Sequence, residues 1–470
     1  METLNKKKKP FKMPHVFLIL LGIMLFVTVL GYIIPAGEFE RIASEDPSAP
    51  SVINPDKFQF VDRVDPIGVF DFFNSIYTGL VEAGIIIFST LIGAGTIEVF
   101  NETGALRGGI AKLNKATHGN SVLGIIIFFL FFNLMNVVGG GETLYPFYPV
   151  CVAILCSLGY DKMVGTGVVV YASTAGFACG VINLFTTGIS QKIVGLPLFS
   201  GAGYRFIVLI VLSIIGLISI LRYAAKTKAN PDKSIMAEDY KKQLAEDAEK
   251  GEETIIFGIK EKLALMVFII SNIFVGYGCL KLGFDFPEMA TVNIIMAIIV
   301  ATIYGYGPSS VCKMFIRGVE QVIIPMVALG LARAVMVLLT QSQILDTMVH
   351  YMGNAMTGKS AVVTLLLVFI FVTLFNFLVA SGSGKALIFM PILGPLGKVL
   401  GINQQVMVLA YQLGDGLTNS FWPGGGLVTS SLCGVDYGKY MKLIWKTVLL
   451  MIAAAFVMIV IANAMDYGPF

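Results

Sequence analysis

Four ionisable residues interrupt stretches that are otherwise apolar: Glu142 in Gly139-Gly140-Gly141-Glu142-Thr143, Arg333 in Leu331-Ala332-Arg333, Lys385 in Ser381-Gly382-Ser383-Gly384-Lys385, and Asp415 in Gly414-Asp415-Gly416. An ionised side chain in such surroundings is costly, and it persists where it is paired or where it meets a ligand, an ion or a proton. Glu142 and Asp415 suit a cationic group, a coupling ion or a proton. Lys385 is the reciprocal charge, and it either faces a ligand or closes an internal ion pair. Arg333 can bind a carboxylate or neutralise a nearby acid. The glycines beside these residues bring in the backbone. Where a helix is interrupted, free N–H groups at the start of the next half-helix favour an anionic group, for which a carboxylate is the natural guest. Close helix packing is the other use of such glycines. Asn183 to Thr187 and Thr418 to Ser420 offer carbonyls, hydroxyls and amides of the kind that hold a cation or an ammonium.

Other chemistries fail on spacing. The run ending in Lys385 is not a phosphate-binding loop, because Ala386 stands where Ser or Thr is required and Val379 occupies the upstream glycine position. There is no His-Glu-x-x-His and no Gly-x-Ser-x-Gly, so no enzyme is expected. The six cysteines form no Cys-x-x-Cys pair and the three histidines are isolated, which gives no metal site and no disulfide framework. No cofactor is expected, and Na+ or H+ is the coupling ion to consider.

The elements that must position these residues are membrane helices. With 56% hydrophobic residues, 13% charged residues and a mean hydropathy of +0.81, the 470-residue chain is too apolar for an ordinary soluble protein. Its apolar stretches approach the length of a spanning helix. A net charge of +3 implies no nucleic-acid surface. The lysines at positions 6–9 before the first apolar stretch, 16–34, put the N-terminus in the cytoplasm, and residues 36–65 read as an external loop. A span is expected from 78 to 100. The segment 121–158 carries glycines at its middle and basic residues on both sides, so it reads as a re-entrant hairpin. The span that follows is broken near Asn183.

The second half repeats this order. Asn136, a glycine cluster and Pro149 have counterparts in Asn376, the Ser381 to Gly384 cluster and Pro391, and Asn183-Leu184-Phe185 has one in Asn419-Ser420-Phe421. Counting crossings makes the two copies inverted. The expected architecture is all-α: about nine spans and two re-entrant hairpins, with the site between the hairpin tips and the broken spans. The expected divisions are 1–222 for the first repeat with its hairpin 121–158, 223–262 for a cytoplasmic linker, 263–286 for a connecting helix, and 287–470 for the second repeat with its hairpin 360–400.

The run from Asn183 to Gln191, Gly195-Leu196-Pro197-Leu198-Phe199-Ser200-Gly201, Ser381-Gly382-Ser383-Gly384 and Gly414-Asp415-Gly416-Leu417-Thr418-Asn419 together resemble the YfcC-type branch of the ion transporter superfamily. The likeness extends over nearly the whole chain. It implies kinship with anaerobic dicarboxylate carriers and arginine/ornithine antiporters, and a homodimer whose mobile hairpin domains work as an elevator in the inner membrane, among its lipids. Its motifs implicate Glu142, Asn183, Thr186, Ser381, Ser383, Asp415 and Asn419. With the tip residues Gly140, Gly141, Thr143, Gly382, Gly384 and Lys385, and with Arg333, these make up the candidate substrate site. The chain departs from the family pattern at Thr143, at Leu184, at Lys385, where glutamine is frequent, and at Ser420-Phe421-Trp422. The sequence favours an amino acid transporter or exchanger, for basic amino acids by resemblance. A carrier of dicarboxylates or other organic anions is the alternative.

Overall fold

The computed structural model describes residues 14–42, 52–62, 66–105, 108, 121–138, 141–250, 258–278, 282–379 and 381–468. The lysines at 6–9 and Gly140 therefore lie outside the described residues. The chain is mostly helical, as hydrocarbon requires of a backbone that must satisfy its own polar groups.

Helix α1 (Val16–Ile33) is followed by an antiparallel pair, β1 (Gly37–Ile42) and β2 (Val52–Phe60). This departs from the expected all-α fold with an open loop at 36–65. The strand signal is present in Glu38-Phe39-Glu40, where Phe39 is buried while Glu40 is exposed. The ribbon is docked on α13 (Leu345–Met356): Phe39 N donates to Asp346 Oδ2 at 3.0 Å, and Arg41 Nη2 pairs with the same oxygen at 2.9 Å.

The span expected from 78 begins earlier, as α2 (Val69–Glu82), and turns at Ala83 into α3 (Gly84–Asn101). The segment 121–158 folds as α4 (Val122–Val137), a 3-10 turn at Gly141–Leu144 and α5 (Phe147–Ser157). Next comes α6 (Lys162–Cys179), stopped by the left-handed Gly180 (φ +54°). A π turn at Leu184–Gly188 leads into the single turn α7 (Ile189–Ile193) and then α8 (Ala202–Ala229). The polar linker contains α9 (Ala237–Lys250), which is tied to the preceding hairpin by Tyr240, donating to Gly159 O at 2.8 Å, and by Gln243, donating to Tyr160 O at 3.1 Å.

The second half brings α10 (Ile259–Tyr277), α11 (Phe286–Tyr304) and the 34-residue α12 (Pro308–Gln341). After α13 come α14 (Ala361–Phe375) and α15 (Gly382–Val399), meeting at the second glycine cluster. The broken pair α16 (Gln404–Gly416) and α17 (Pro423–Leu432) follows, and then α18 (Tyr437–Ala464).

Among the described residues seven helical stretches are long and apolar enough to cross a membrane: α1, α3, residues 162–193, α8, α11, α12 and α18. The two further spans expected fall on α10, which carries Lys260, Glu261 and Lys262 in its first turn, and on the α16–α17 stretch, which is interrupted into pieces of 13 and 10 residues. Helices α1, α2, α3 and α11 pack with α12 or with one another, whereas α4 pairs with α6, α14 with α16, and α6 with α16.

The α6–α16 crossing depends on small residues. A Cβ on Gly416 would lie 2.3 Å from Ala178 Cα, nearer than real atoms approach. Gly416→Ala is therefore expected to overpack this crossing by about 1–3 kcal/mol and to lower the melting temperature of the detergent-purified protein. Gly22→Ala, on an open face of α1 with nothing within 4 Å, should leave that temperature unchanged.

Candidate substrate site

Each hairpin ends in an asparagine that takes over hydrogen bonding where the helix stops. Asn136, near the end of α4, accepts from Gly141 N at 3.0 Å and donates to Ser173 Oγ of α6 at 3.1 Å. The first tip is thereby held on the first broken helix. Asn376, at the end of α14, donates through Nδ2 to the main-chain carbonyl of Asp415, to Thr418 Oγ1 at 3.0 Å and to Asn419 Oδ1 at 3.0 Å, so it binds the second hairpin to the second broken helix.

The breaks are capped in the same manner. Asn183 Oδ1 accepts from Phe185 N at 2.9 Å and Thr186 N at 3.2 Å, satisfying donors that the interrupted helix would leave free. Ser381 Oγ accepts from Gly384 N at 3.3 Å at the start of α15. The bulky departure at the second break has a structural role: Trp422 Nε1 donates to Thr373 O of α14 at 2.6 Å, which fixes the start of α17. The two breaks are joined by Gln412, which accepts from Thr187 Oγ1 at 3.1 Å and donates to Phe177 O at 2.9 Å.

Between these ends lies a cavity of about 400 Å³. Of the residues singled out in the sequence it brings together Gly141, Glu142, Thr143, Thr186, Ser381, Gly382, Ser383, Asn419 and Arg333. The other four described candidates stand behind the wall. Asn183 caps the first break, and Gly384 belongs to the first turn of α15. Lys385 and Asp415 form an ion pair, Nζ to Oδ1 2.5 Å, with side chains 1% and 0% exposed. Of the two uses open to Lys385, the pair is the geometry observed.

Sequence reasoning missed several wall residues: Asn136, Tyr145, Tyr148, Ser173, Thr174, Phe177, Thr429 and, at the rim, the exposed Asp285. The matched positions of Asn136 and Asn376 beside the glycine clusters were the available signal. Tyr148 and Ser173 look like ordinary core residues until the hairpin is folded onto α6.

The wall is electrostatically divided. Glu142 and Arg333 face the same space, and neither forms an ion pair within 4 Å among the described residues. Ser381 to Ser383 at the start of α15 and Gly424 and Gly425 at the start of α17 also line the cavity, so two helix N-termini open onto it.

Apolar helices around a polar cavity walled by interrupted helix ends define a membrane transporter. The chain belongs to the C4-dicarboxylate anaerobic carrier family, DcuC, whose model matches residues 13–464. It is 28% identical to an Escherichia coli K12 protein named "Putative basic amino acid antiporter YfcC", over 99% of each chain, in keeping with the branch its motifs resemble. An "Uncharacterized protein" of Haemophilus influenzae is also 28% identical, over 94% of this chain and 95% of that one. Two solved structures are more distant. One is Neisseria gonorrhoeae MtrF, described as illuminating a class of antimetabolite efflux pumps, with 14% identity, 96% of each chain covered and a TM-score of 0.44. The other is the Alcanivorax borkumensis YdaH transporter, with 16% identity, 97% and 100% covered and a TM-score of 0.42.

Asn376→Leu should strip partners from the second hairpin and strand several buried polar groups at about 1–3 kcal/mol each. The expected result is a lower melting temperature and a transport rate at least about tenfold below wild type, measured on the same purified sample in detergent and in proteoliposomes.

Proposed function

We propose that this transporter exchanges basic amino acids such as arginine and ornithine. The observation behind this reading is the charge of the cavity wall. Two acids, Glu142 and Asp285, stand against one base, Arg333, while Lys385 and Asp415 cancel each other behind the wall. A wall of net charge −1 complements a substrate of net charge +1. In this assignment Arg333 and the N-termini of α15 and α17 take the α-carboxylate, and Glu142 takes a cationic end. The name of the Escherichia coli relative points the same way.

The alternative is a C4-dicarboxylate or other organic-anion carrier. It is favoured by the family's description and by the two helix N-termini with Arg333, but Glu142 would then meet substrate of its own sign. The remaining parts of the reading are an inverted repeat, an elevator motion, a homodimer, and an inner-membrane protein with its N-terminus in the cytoplasm. They are supported by the matched order of hairpin, broken helix and long helix in α4–α8 and α14–α18. The scaffold of such a motion would be α1–α3 and α11 packed around α12, which also contacts the second broken helix through α17. The divisions proposed remain 1–222, 223–262, 263–286 and 287–470.

Labelled arginine should enter proteoliposomes faster when ornithine is inside, and neutral amino acids should compete weakly. Competition by succinate without competition by arginine would establish the anion carrier instead. Glu142→Gln is expected to raise the arginine KM about tenfold, which corresponds to about 1.4 kcal/mol of binding. Arg333→Gln should weaken every amino acid to a similar degree, because the α-carboxylate is common to all of them.

A further inference from the structure

The Lys385–Asp415 pair is the one ion pair among the described residues sealed from solvent on both sides. Such a pair is a poor source of stability, since two desolvated charges roughly offset their attraction and an apolar pair of the same volume would do as well. Its surroundings point to a different role. The ammonium touches Asn376 Oδ1 as well as Asp415 Oδ1, so its partners are a carboxylate oxygen and an amide oxygen, the hard donors that hold alkali cations. The amide orientation of Asn376 is fixed by its other contacts, because Nδ2 faces the Asp415 carbonyl, Thr418 Oγ1 and Asn419 Oδ1.

The pair also lies where the moving parts of the site would meet. Asp415 Oδ2 makes no hydrogen bond among the described residues and rests against Gly382 of the second tip, where a Cβ would come within 2.7 Å of it. The same Cβ would come within 2.7 Å of Thr186 in the first break, whose Oγ1 is likewise without a hydrogen bond among the described residues. One carboxylate thus sits between both breaks and the second tip, and the charge that neutralises it hangs from the second hairpin itself.

We propose that Lys385 is a tethered cation: its ammonium occupies an oxygen-lined site that would otherwise need a free monovalent cation to neutralise Asp415 and close the second hairpin on the broken helix. The natural protein therefore takes no sodium there. Loss of the amine exposes the site to alkali cations from solution. The proposal is independent of which substrate fills the cavity.

The full chain, purified in detergent, is melted in sodium, potassium and choline chloride at equal ionic strength, a readout that needs no substrate. Wild type should melt at one temperature in all three. Lys385→Met should melt lower in choline and recover by about 2–4 °C in sodium or potassium, with the shift rising with the logarithm of cation concentration. The double variant Lys385→Met/Asp415→Asn, which is neutral, should show no difference between cations. A wild-type melting temperature raised by sodium over choline overturns the proposal even if Lys385→Met fails to fold. A folded Lys385→Met indifferent to every cation overturns it as well. Arginine uptake by wild type at equal rates in sodium and choline would support it. Failure of arginine uptake in every medium, with the melting results intact, would count against the assigned substrate and not against the tethered cation.

Discussion

A helix that stops inside hydrocarbon leaves N–H and C=O groups with no water to receive them, and this constraint governs most of the structure described here. Each interruption has a side chain in place of the missing turn: Asn136 at the first tip, Asn183 at the first break, Ser381 at the second tip, and Asn376 with Thr418 at the second break. These residues are polar because the backbone has been opened, and the backbone is opened where a polar substrate must be met. The glycines serve the same end. Gly180 ends α6 in a left-handed turn that a Cβ would strain, and Gly416 lets α6 and α16 touch backbone to backbone.

Charge is then partitioned by the fold. The four ionisable residues singled out in the sequence divide into a closed pair and an open pair. Lys385 and Asp415 are consumed by each other behind the wall, and Glu142 and Arg333 are left across the cavity without a direct bridge. With Lys385 withdrawn into an internal pair, Glu142 and Arg333 offset one another, and Asp285 at the rim leaves the wall one charge negative. Family membership fixes the chemistry of the protein as transport, and its wall gives the reason to look first at cationic amino acids within it.

Much of this was legible in the sequence because the costs involved are large. Charges and glycine clusters in apolar segments are expensive, so Glu142, Arg333, Lys385 and Asp415 stood out, and nine of the described candidates do meet in one cavity. Less costly features were invisible. Pairing of Lys385 with Asp415 depends on a contact across thirty positions of chain that no local pattern records. The strand pair after α1 was hidden by its polar composition, although the alternation around Phe39 was there to be read. Tyr148, Ser173 and Thr429 have no signature at all, because a cavity wall is defined by which helices face each other. The start of α2 at Val69 was missed because its first turn carries Asp71, which lowers hydropathy while serving the helix as a capping acid.

The bridge of Gln412 between Thr187 and Phe177 has a mechanical meaning. It fastens the side chain of Thr187 at one end of the first gap and the main chain of Phe177 at the other to a single residue of α16. The gap is thus clasped from outside its own helix, by a residue nearly half the chain away in sequence, and its width is set by how α6 and α16 lie against each other.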